Sequence, residues 1–272
     1  MNAAIGMTLV NGRRADQVST AERALHYGDG LFETISCRDG RPRWLALHLQ
    51  RLRHGCERLQ LPFRDYDALG RDIAELAAWQ PRCIVKAIVS RGSATRRGYG
   101  PGGDESPTRI VSRHEWVLEE HGACAMRVEL SEVSLGINPR LAGLKHLNRL
   151  EQVLAQMGRA NGVDEVLMLS STRQVIGGSM SNVFFADESG LFTPELHECG
   201  VEGVMRQLVL GAGNGLSPKV RRVEPAELGW VREAFVTNVR WGLRSVALLD
   251  GRALPSDDYA QQLRRVIDAA RA

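Results

Sequence analysis

The chain has 272 residues, 43% of them apolar and 25% charged, a composition that excludes a disordered, a collagen-like or a disulfide-framed protein. Lys+Arg 35 against Asp+Glu 32 leaves a formal charge of +3. That is too small for a generic nucleic-acid binder, so any positive patch is local and suits a small acidic ligand. The length allows one large domain or two small ones.

Asn11-Gly12 and Asp39-Gly40 are hairpin dipeptides, and Leu31 to Cys37 (LFETISC) between them suits a strand. Leu45, Leu49, Leu52, Cys56 and Leu59 fall on one helical face that ends before Pro62. Tyr66, Leu69, Ile73 and Leu76 mark a second helix, closed by Pro81, and Cys83 to Ser90 (CIVKAIVS) reads as a strand. Arg91 to Pro107 (RGSATRRGYGPGGDESP) is glycine- and arginine-rich, and a loop of that length in a compact chain is functional or disordered. A strand resumes at Thr108 to Ser112. The charged, aperiodic stretch after it predicts domains at 1–113 and 123–272, with a linker at 114–122.

The second half opens with strands around Met126 to Val133, then a helix carrying Leu147, Leu150, Leu154 and Met157 on one face. Strands follow at Glu165–Leu169, Val183–Ala186 and Leu191–Thr193, with a short helix near Gly203. Further strands at Val220–Val223, Ala234–Asn238 and Ser245–Leu249 lead to a terminal helix from about Asp257. The absence of a clean βαβ alternation predicts α+β or an irregular α/β barrel rather than a doubly wound sheet.

Cys37, Cys56, Cys83, Cys124 and Cys199 are odd in number, widely spaced and without a C-x-x-C pair. This argues against a disulfide set or zinc and for a reducing compartment. The start, MNAAIGMTLVNG, has neither a basic n-region nor a long apolar core, and no 18-residue apolar run occurs, so the expectation is a cytoplasmic protein without a membrane span. No H-E-x-x-H, G-x-S-x-G, P-loop or G-x-G-x-x-G after a strand is present, which leaves metal hydrolysis, a nucleophile elbow and dinucleotide binding without support.

Only three lysines occur, Lys86, Lys145 and Lys219. Lys145 lies between Leu144 and Leu147, and an apolar setting lowers the pKa of an amine toward what Schiff-base chemistry requires. By spacing alone the commoner reading is a lysine whose stem packs while its head reaches water. Gly200 and Gly203 precede an apolar helical run, where free N–H groups and the helix dipole favour a phosphate, although glycine before a helix is common. Arg91, Arg96 and Arg97 beside Tyr99 offer planar forks for a carboxylate, or else a solvated loop.

Taken together, the segments resemble the fold-type IV pyridoxal-phosphate enzymes over nearly the whole chain. His26 to Glu33 (HYGDGLFE) is similar to the family's opening strand, and His48 to Leu52 (HLQRL) to its H-x-x-R-L helix. Lys145 to Gln152 (KHLNRLEQ) is similar to the Schiff-base lysine segment. Ser181 to Phe185 (SNVFF), Thr193 and Gly203 to Arg206 (GVMR) follow in the family's order and spacing. Within the family, the run from Asn138 to Gln152, with Ser90-Arg91-Gly92-Ser93 and Arg97-Gly98-Tyr99, resembles the aminodeoxychorismate lyases more than the D-amino-acid or branched-chain aminotransferases.

The resemblance implies two domains, a small α+β N-terminal one and a larger barrel-like C-terminal one, a homodimer, and pyridoxal 5'-phosphate as cofactor. It implies a lyase that converts 4-amino-4-deoxychorismate to 4-aminobenzoate and pyruvate in folate synthesis. The alternatives are an aminotransferase and a non-catalytic cofactor-binding relative. Lys145 and Thr34 take the catalytic roles. Arg51, Asn182, Val204, Met205 and the position of Gly177 belong to the cofactor. Arg97, Arg91, Tyr99 and Asn238 belong to the substrate, with no metal. Two departures stand out. Gly177 occupies the place of the family's glutamate against the pyridine nitrogen, and Val239 the place of the transaminases' phosphate-binding threonine.

Overall fold

The computed structural model describes residues 7–94, 96, 98–116, 125–213 and 216–269. The chain divides into two compact units. One takes residues 1–118 together with Leu144–Asn148, the other residues 119–143 and 149–272. Of the predicted linker at 114–122, His114 and Glu115 extend a strand, and 117–122 fall outside the described residues, as does Cys124. No described helix is long and apolar enough to cross a membrane.

The first unit runs β1 (Thr8–Val10), β2 (Arg13–Arg14), α1 (Arg23–Tyr27), β3 (Gly30–Arg38), β4 (Arg41–Pro42), α2 (Leu45–Arg58), α3 (Tyr66–Ala77), β5 (Arg82–Ser90) and β6 (Thr108–Glu115). Its sheet has the order β2-β1-β6-β5-β3-β4 and every pair is antiparallel. Both predicted hairpins form, because Asn11 and Gly12, like Asp39 and Gly40, adopt the paired positive φ that a tight two-residue turn demands. β3 pairs residue for residue with β5, from Gly30 opposite Ser90 to Arg38 opposite Arg82.

Leu52 and Cys56 of α2 and Leu69, Ile73 and Leu76 of α3 bury against Leu31, Ile35, Val85 and Val89 of the sheet, as the helical spacing predicts. α2 lies unusually close to β3 because Gly55 has no side chain. A Cβ there would sit 2.7 Å from Leu31 Cδ1 and 3.1 Å from Cδ2. That close approach sets the depth at which the polar residues of α2 meet β3.

The second unit runs β7 (Met126–Leu135), α4 (Leu150–Met157), β8 (Glu165–Ser170), β9 (Val175–Gly178), β10 (Asn182–Asp187), β11 (Gly190–Pro194), α5 (Val204–Leu210), β12 (Lys219–Arg221), a 3-10 turn (Pro225–Trp230), β13 (Glu233–Asn238), β14 (Gly242–Leu249), β15 (Arg252–Ala253) and α6 (Asp258–Ala269). Its nine-stranded sheet has the order β12-β11-β10-β13-β14-β7-β8-β9, with β15 on β14. Three of its pairings are parallel and the rest antiparallel. The fold is therefore α+β with two mixed units, as expected. Val183, Phe185, Ala234, Val236 and Val246 fill its core, and Phe184 stacks on Phe235 on the opposite face.

Three expectations change. The helix predicted from Leu147 begins at Leu150, because Leu147 is drawn into the first unit, where its N–H donates to Gly30 O. Its apolar stripe also faces outward: Leu150 is 70% and Met157 76% exposed, while the helix buries only Ala155. β9, with two glycines and only four residues, gave no periodic signal.

Replacement of Gly55 by valine is expected to push Leu31 out of its place and cost about 1–3 kcal/mol. A lower midpoint in urea unfolding, with unchanged slope, is the measurement that checks it.

Candidate active site

In the first unit the candidate residues gather around β3. One edge of β3 pairs with β5. Its other edge pairs with β4 only at Cys37 and Arg38, leaving the stretch near Gly30 open. Residues 145–147 fill that stretch: Phe32 N–H donates to Lys145 O, and Leu147 N–H to Gly30 O, with a bridge between Leu31 and His146. Leu144 is buried in the core beside them. The Lys145 amine thereby lies 4.4 Å from the centroid of the Phe32 ring, a cation–π distance. Thr34 shares the face of β3 that Phe32 presents, and lies opposite Lys86 in the ladder.

On the other face of β3, Glu33 turns inward toward α2. Its carboxylate accepts from Arg51 Nε at 2.8 Å and from Arg51 Nη2, and from His48 Nδ1 at 2.6 Å. His48 and Arg51 stand three positions apart on α2, so they share one helical face and reach the same carboxylate. A carboxylate can only accept here, so Nδ1 carries the hydrogen of His48. Burial opposes the charge on Glu33, but the Arg51 guanidinium and the bond from His48 outweigh it and bring the carboxyl down to about 2. Burial lowers the pKa of His48 despite its bond to Glu33. The charge of Glu33 is thus balanced by Arg51, and His48 serves as a neutral donor.

The loop after β5 is anchored from beneath. Arg91 commits all three of its nitrogens, Nε to Asp29, Nη1 to Gln60 O and Nη2 to Leu59 O, and is buried. Asp29 also receives Arg23 Nε, and Arg23 Nη2 donates to Tyr99 O. Tyr99 itself is 85% exposed, its ring beside Tyr27. Arg91 therefore has the surroundings of a scaffold residue rather than of a ligand for substrate. Arg97 lies outside the described residues.

In the second unit Asn182, at the start of β10, uses both ends of its amide on the segment before α5. Nδ2 donates to Val201 O at 2.9 Å, and Oδ1 accepts from Gly203 N–H at 3.1 Å. A Cβ on Gly203 would lie 2.1 Å from Asn182 Oδ1, so only glycine permits this clasp. It leads directly into Val204 and Met205, whose amides sit in the first turn of α5, where no carbonyl four residues back can receive them. Arg206 turns inward instead, donating to Pro194 O. Asn238 ends β13 by accepting from Arg240 N–H and Trp241 N–H and donating to Met180 O, so its amide chiefly closes that turn.

Gly177 lies on β9, and a Cβ there would meet Ser181 O at 3.1 Å and Asn182 Nδ2 at 3.9 Å. The neighbouring Gly178 faces the other way, onto Glu165. Glu165 is fully buried and accepts from Val166 N–H, Ser179 N–H, Ser179 Oγ, Met180 N–H, Ser181 Oγ and Gln156 Nε2. It holds the turn from 179 to 181 and does not stand in for a side chain at Gly177. Neither Glu33 nor Glu165 drew attention in the sequence as a functional residue. Glu33 stands only as the last residue of the motif from His26 to Glu33, and Glu165 only as the acid that opens an apolar strand.

The amino-transferase class IV family model matches residues 30–249 of the chain. The chain belongs to that family. It is 33% identical over 261 residues to an aminodeoxychorismate lyase from Vibrio harveyi, covering 92% of this chain and 93% of the relative. Its fold superposes on the crystal structure of 4-amino-4-deoxychorismate lyase from Pseudomonas aeruginosa with a TM-score of 0.91 and 38% identity, over 97% of this chain and 98% of that one. A putative branched-chain-amino-acid aminotransferase from Methanocaldococcus jannaschii is 28% identical over 271 residues, covering 94% of this chain and 92% of the relative.

Since Glu33 is ionised in the native state down to about pH 2 but titrates near 4.5 when unfolded, its contribution is full above pH 4.5 and is lost as pH falls toward 2. Unfolding free energies measured across this window should therefore fall more steeply in the wild type than in Glu33→Gln.

Proposed function

We propose that this protein is a pyridoxal-phosphate-dependent lyase that converts 4-amino-4-deoxychorismate to 4-aminobenzoate and pyruvate, a step of folate synthesis. The observation that carries this reading is the full-length likeness, in sequence and in structure, to two aminodeoxychorismate lyases. The residues fit the cofactor chemically. Lys145 offers a primary amine beside an aromatic face for an aldehyde. Arg51, held in place by Glu33, and the first-turn amides of Val204 and Met205 offer donors for a phosphate.

In this reading Lys145 would hold the cofactor through its amine and would take the proton from the amine-bearing ring carbon of the substrate. When bound, pyridoxal 5'-phosphate draws electron density away from that carbon. Thr34 delivers a proton toward the departing enolpyruvyl group. Arg97, with Tyr99, meets a substrate carboxylate, and the remaining Nδ2 hydrogen of Asn238 reaches the substrate. Asn182 acts through the clasp on Gly203, and Arg91 through the loop it anchors. Formation of an aromatic ring drives the elimination and asks less of the cofactor than transamination does, which makes Gly177 tolerable in the place of the family's glutamate.

We also propose a homodimer. The exposed stripe of Leu150, Val153, Leu154 and Met157 on α4 is the apolar surface a second copy would cover. A cytoplasmic location agrees with Cys37, Cys56, Cys83 and Cys199, all buried and unbridged. The two domains proposed for the enzyme, residues 1–113 and 123–272, differ from the two compact units in that His114 and Glu115 extend β6 and residues 144–148 join the first unit.

Purified protein given aminodeoxychorismate and pyridoxal 5'-phosphate is expected to release 4-aminobenzoate, and Lys145→Ala to release none while keeping its far-ultraviolet dichroism. Amino exchange between alanine and 2-oxoglutarate without 4-aminobenzoate would instead assign it to the aminotransferases. Cofactor binding without either turnover would assign a non-catalytic role. Light scattering should report a dimer for the wild type and a monomer for Leu150→Glu/Met157→Glu, whose substitutions sit on the exposed face.

A further inference from the structure

Glu33, His48 and Arg51 form an ionic cluster in the wall between β3 and α2, with side chains 3%, 0% and 9% exposed. A buried ion pair is a poor device for stability, since packed apolar residues of similar volume commonly do as well or better. The surrounding core of Leu31, Ile35, Leu52 and Cys56 shows that the site could have been apolar. What such a cluster supplies is direction. Arg51 is gripped along one side of its fork, by Nε and Nη2 together, so the plane and rotation of the guanidinium are fixed relative to β3. His48 adds a third bond to Oε2 at 2.6 Å and prevents the carboxylate from turning away. Its other nitrogen, Nε2, is buried and has no partner among the described residues. The imidazole is thus kept at a cost in desolvation for the one hydrogen bond it gives to Glu33.

We propose that Glu33 is a positioning residue. Clamped by His48, it fixes the orientation in which Arg51 meets the phosphate of the ligand, so that phosphate-bearing and phosphate-free forms of the same ligand are told apart. This rests on the reading of Arg51 as a phosphate donor. Glu33 touches neither ligand. It sets the rotamer of the residue that does, and its loss therefore acts on recognition of the phosphate and not on recognition of the aldehyde by Lys145.

The test is titration of the full-length protein with pyridoxal 5'-phosphate and, separately, with pyridoxal, followed by quenching of tryptophan fluorescence. Glu33→Gln keeps the shape of the side chain but not its charge. It should weaken binding of pyridoxal 5'-phosphate roughly tenfold or more, the scale on which losing a buried charged partner is felt. Binding of pyridoxal should stay within about twofold, less than the tenfold that 1.4 kcal/mol represents. In an Arg51→Gln background the same Glu33→Gln change should have no further effect, because its route is gone. Nitrogen-15 spectra should place the hydrogen of His48 on Nδ1 in the wild type and on Nε2 in Glu33→Gln, where the amide can donate to Nδ1.

An equal loss for both ligands would overturn the proposal in favour of general packing, and so would unchanged binding of pyridoxal 5'-phosphate. Additive effects of the two substitutions would also overturn it. If Glu33→Gln does not unfold cooperatively, Glu33→Asp is read instead. It keeps the charge, but its stem is one methylene too short to bring the carboxylate to Arg51 Nε and Nη2, and the same selective loss is expected. Failure of Arg51→Gln itself to affect the preference for the phosphate form, or of the wild type to bind it, would sink the underlying assignment of Arg51 and not the geometry of the cluster.

Discussion

The pairing of residues 145–147 with the open edge of β3 is the constraint on which the first unit's chemistry depends. It is a short antiparallel contact, two backbone hydrogen bonds and a bridge, made by a segment more than a hundred residues further along the chain. It is possible because β4 is too short to occupy the whole edge of β3. It carries a lysine onto the strand whose inward face holds Glu33 and whose outward face holds Phe32 and Thr34. β3 thus acts as a beam with a function on each side, and its long ladder with β5 makes it stiff. The non-local contact has an entropic cost on folding that the buried Leu144 helps to offset.

Both units solve the same electrostatic problem in different ways. In the first, a buried carboxylate is balanced by a guanidinium and a neutral imidazole. In the second, Glu165 has no ionic partner among its hydrogen bonds. It is satisfied by backbone amides, serine hydroxyls and the Gln156 amide, and the product is a held turn ahead of Asn182. Asn182 then passes that hold to the first turn of α5 through Gly203. In both units a deeply buried carboxylate fixes the groups around it. A carboxylate suits this task because it offers several acceptor sites and cannot donate, so it fixes the direction of every hydrogen bond around it.

Much of the scaffold was legible from local patterns. The periodic apolar positions of α2 and α3, the β-branched run of β5 and the two Asn-Gly and Asp-Gly turns depend on contacts within a few residues, and they appear where the sequence places them. Leu147 was misplaced because it satisfies helical spacing with Leu150 and Leu154, yet its N–H is taken by Gly30 O. The stripe on α4 was correctly seen as apolar, but an amphipathic pattern does not say which side meets the core. β9 escaped because two of its four residues are glycine.

For the site, the family resemblance singled out Lys145, Arg51, Asn182 and the segment at Gly203 as the residues to look for. It could not reveal that Asn182 spends its amide on Val201 and Gly203, that Arg91 is consumed by Asp29 and two carbonyls, or that Glu33 and His48 converge on Arg51. Sequence by itself determined the family and, through that resemblance, the cofactor, because the segments that carry the resemblance stand in the family's order along the chain. Only the tertiary structure decided which donors are used up holding the fold, because a hydrogen bond is committed by distance and direction between residues that the chain keeps far apart.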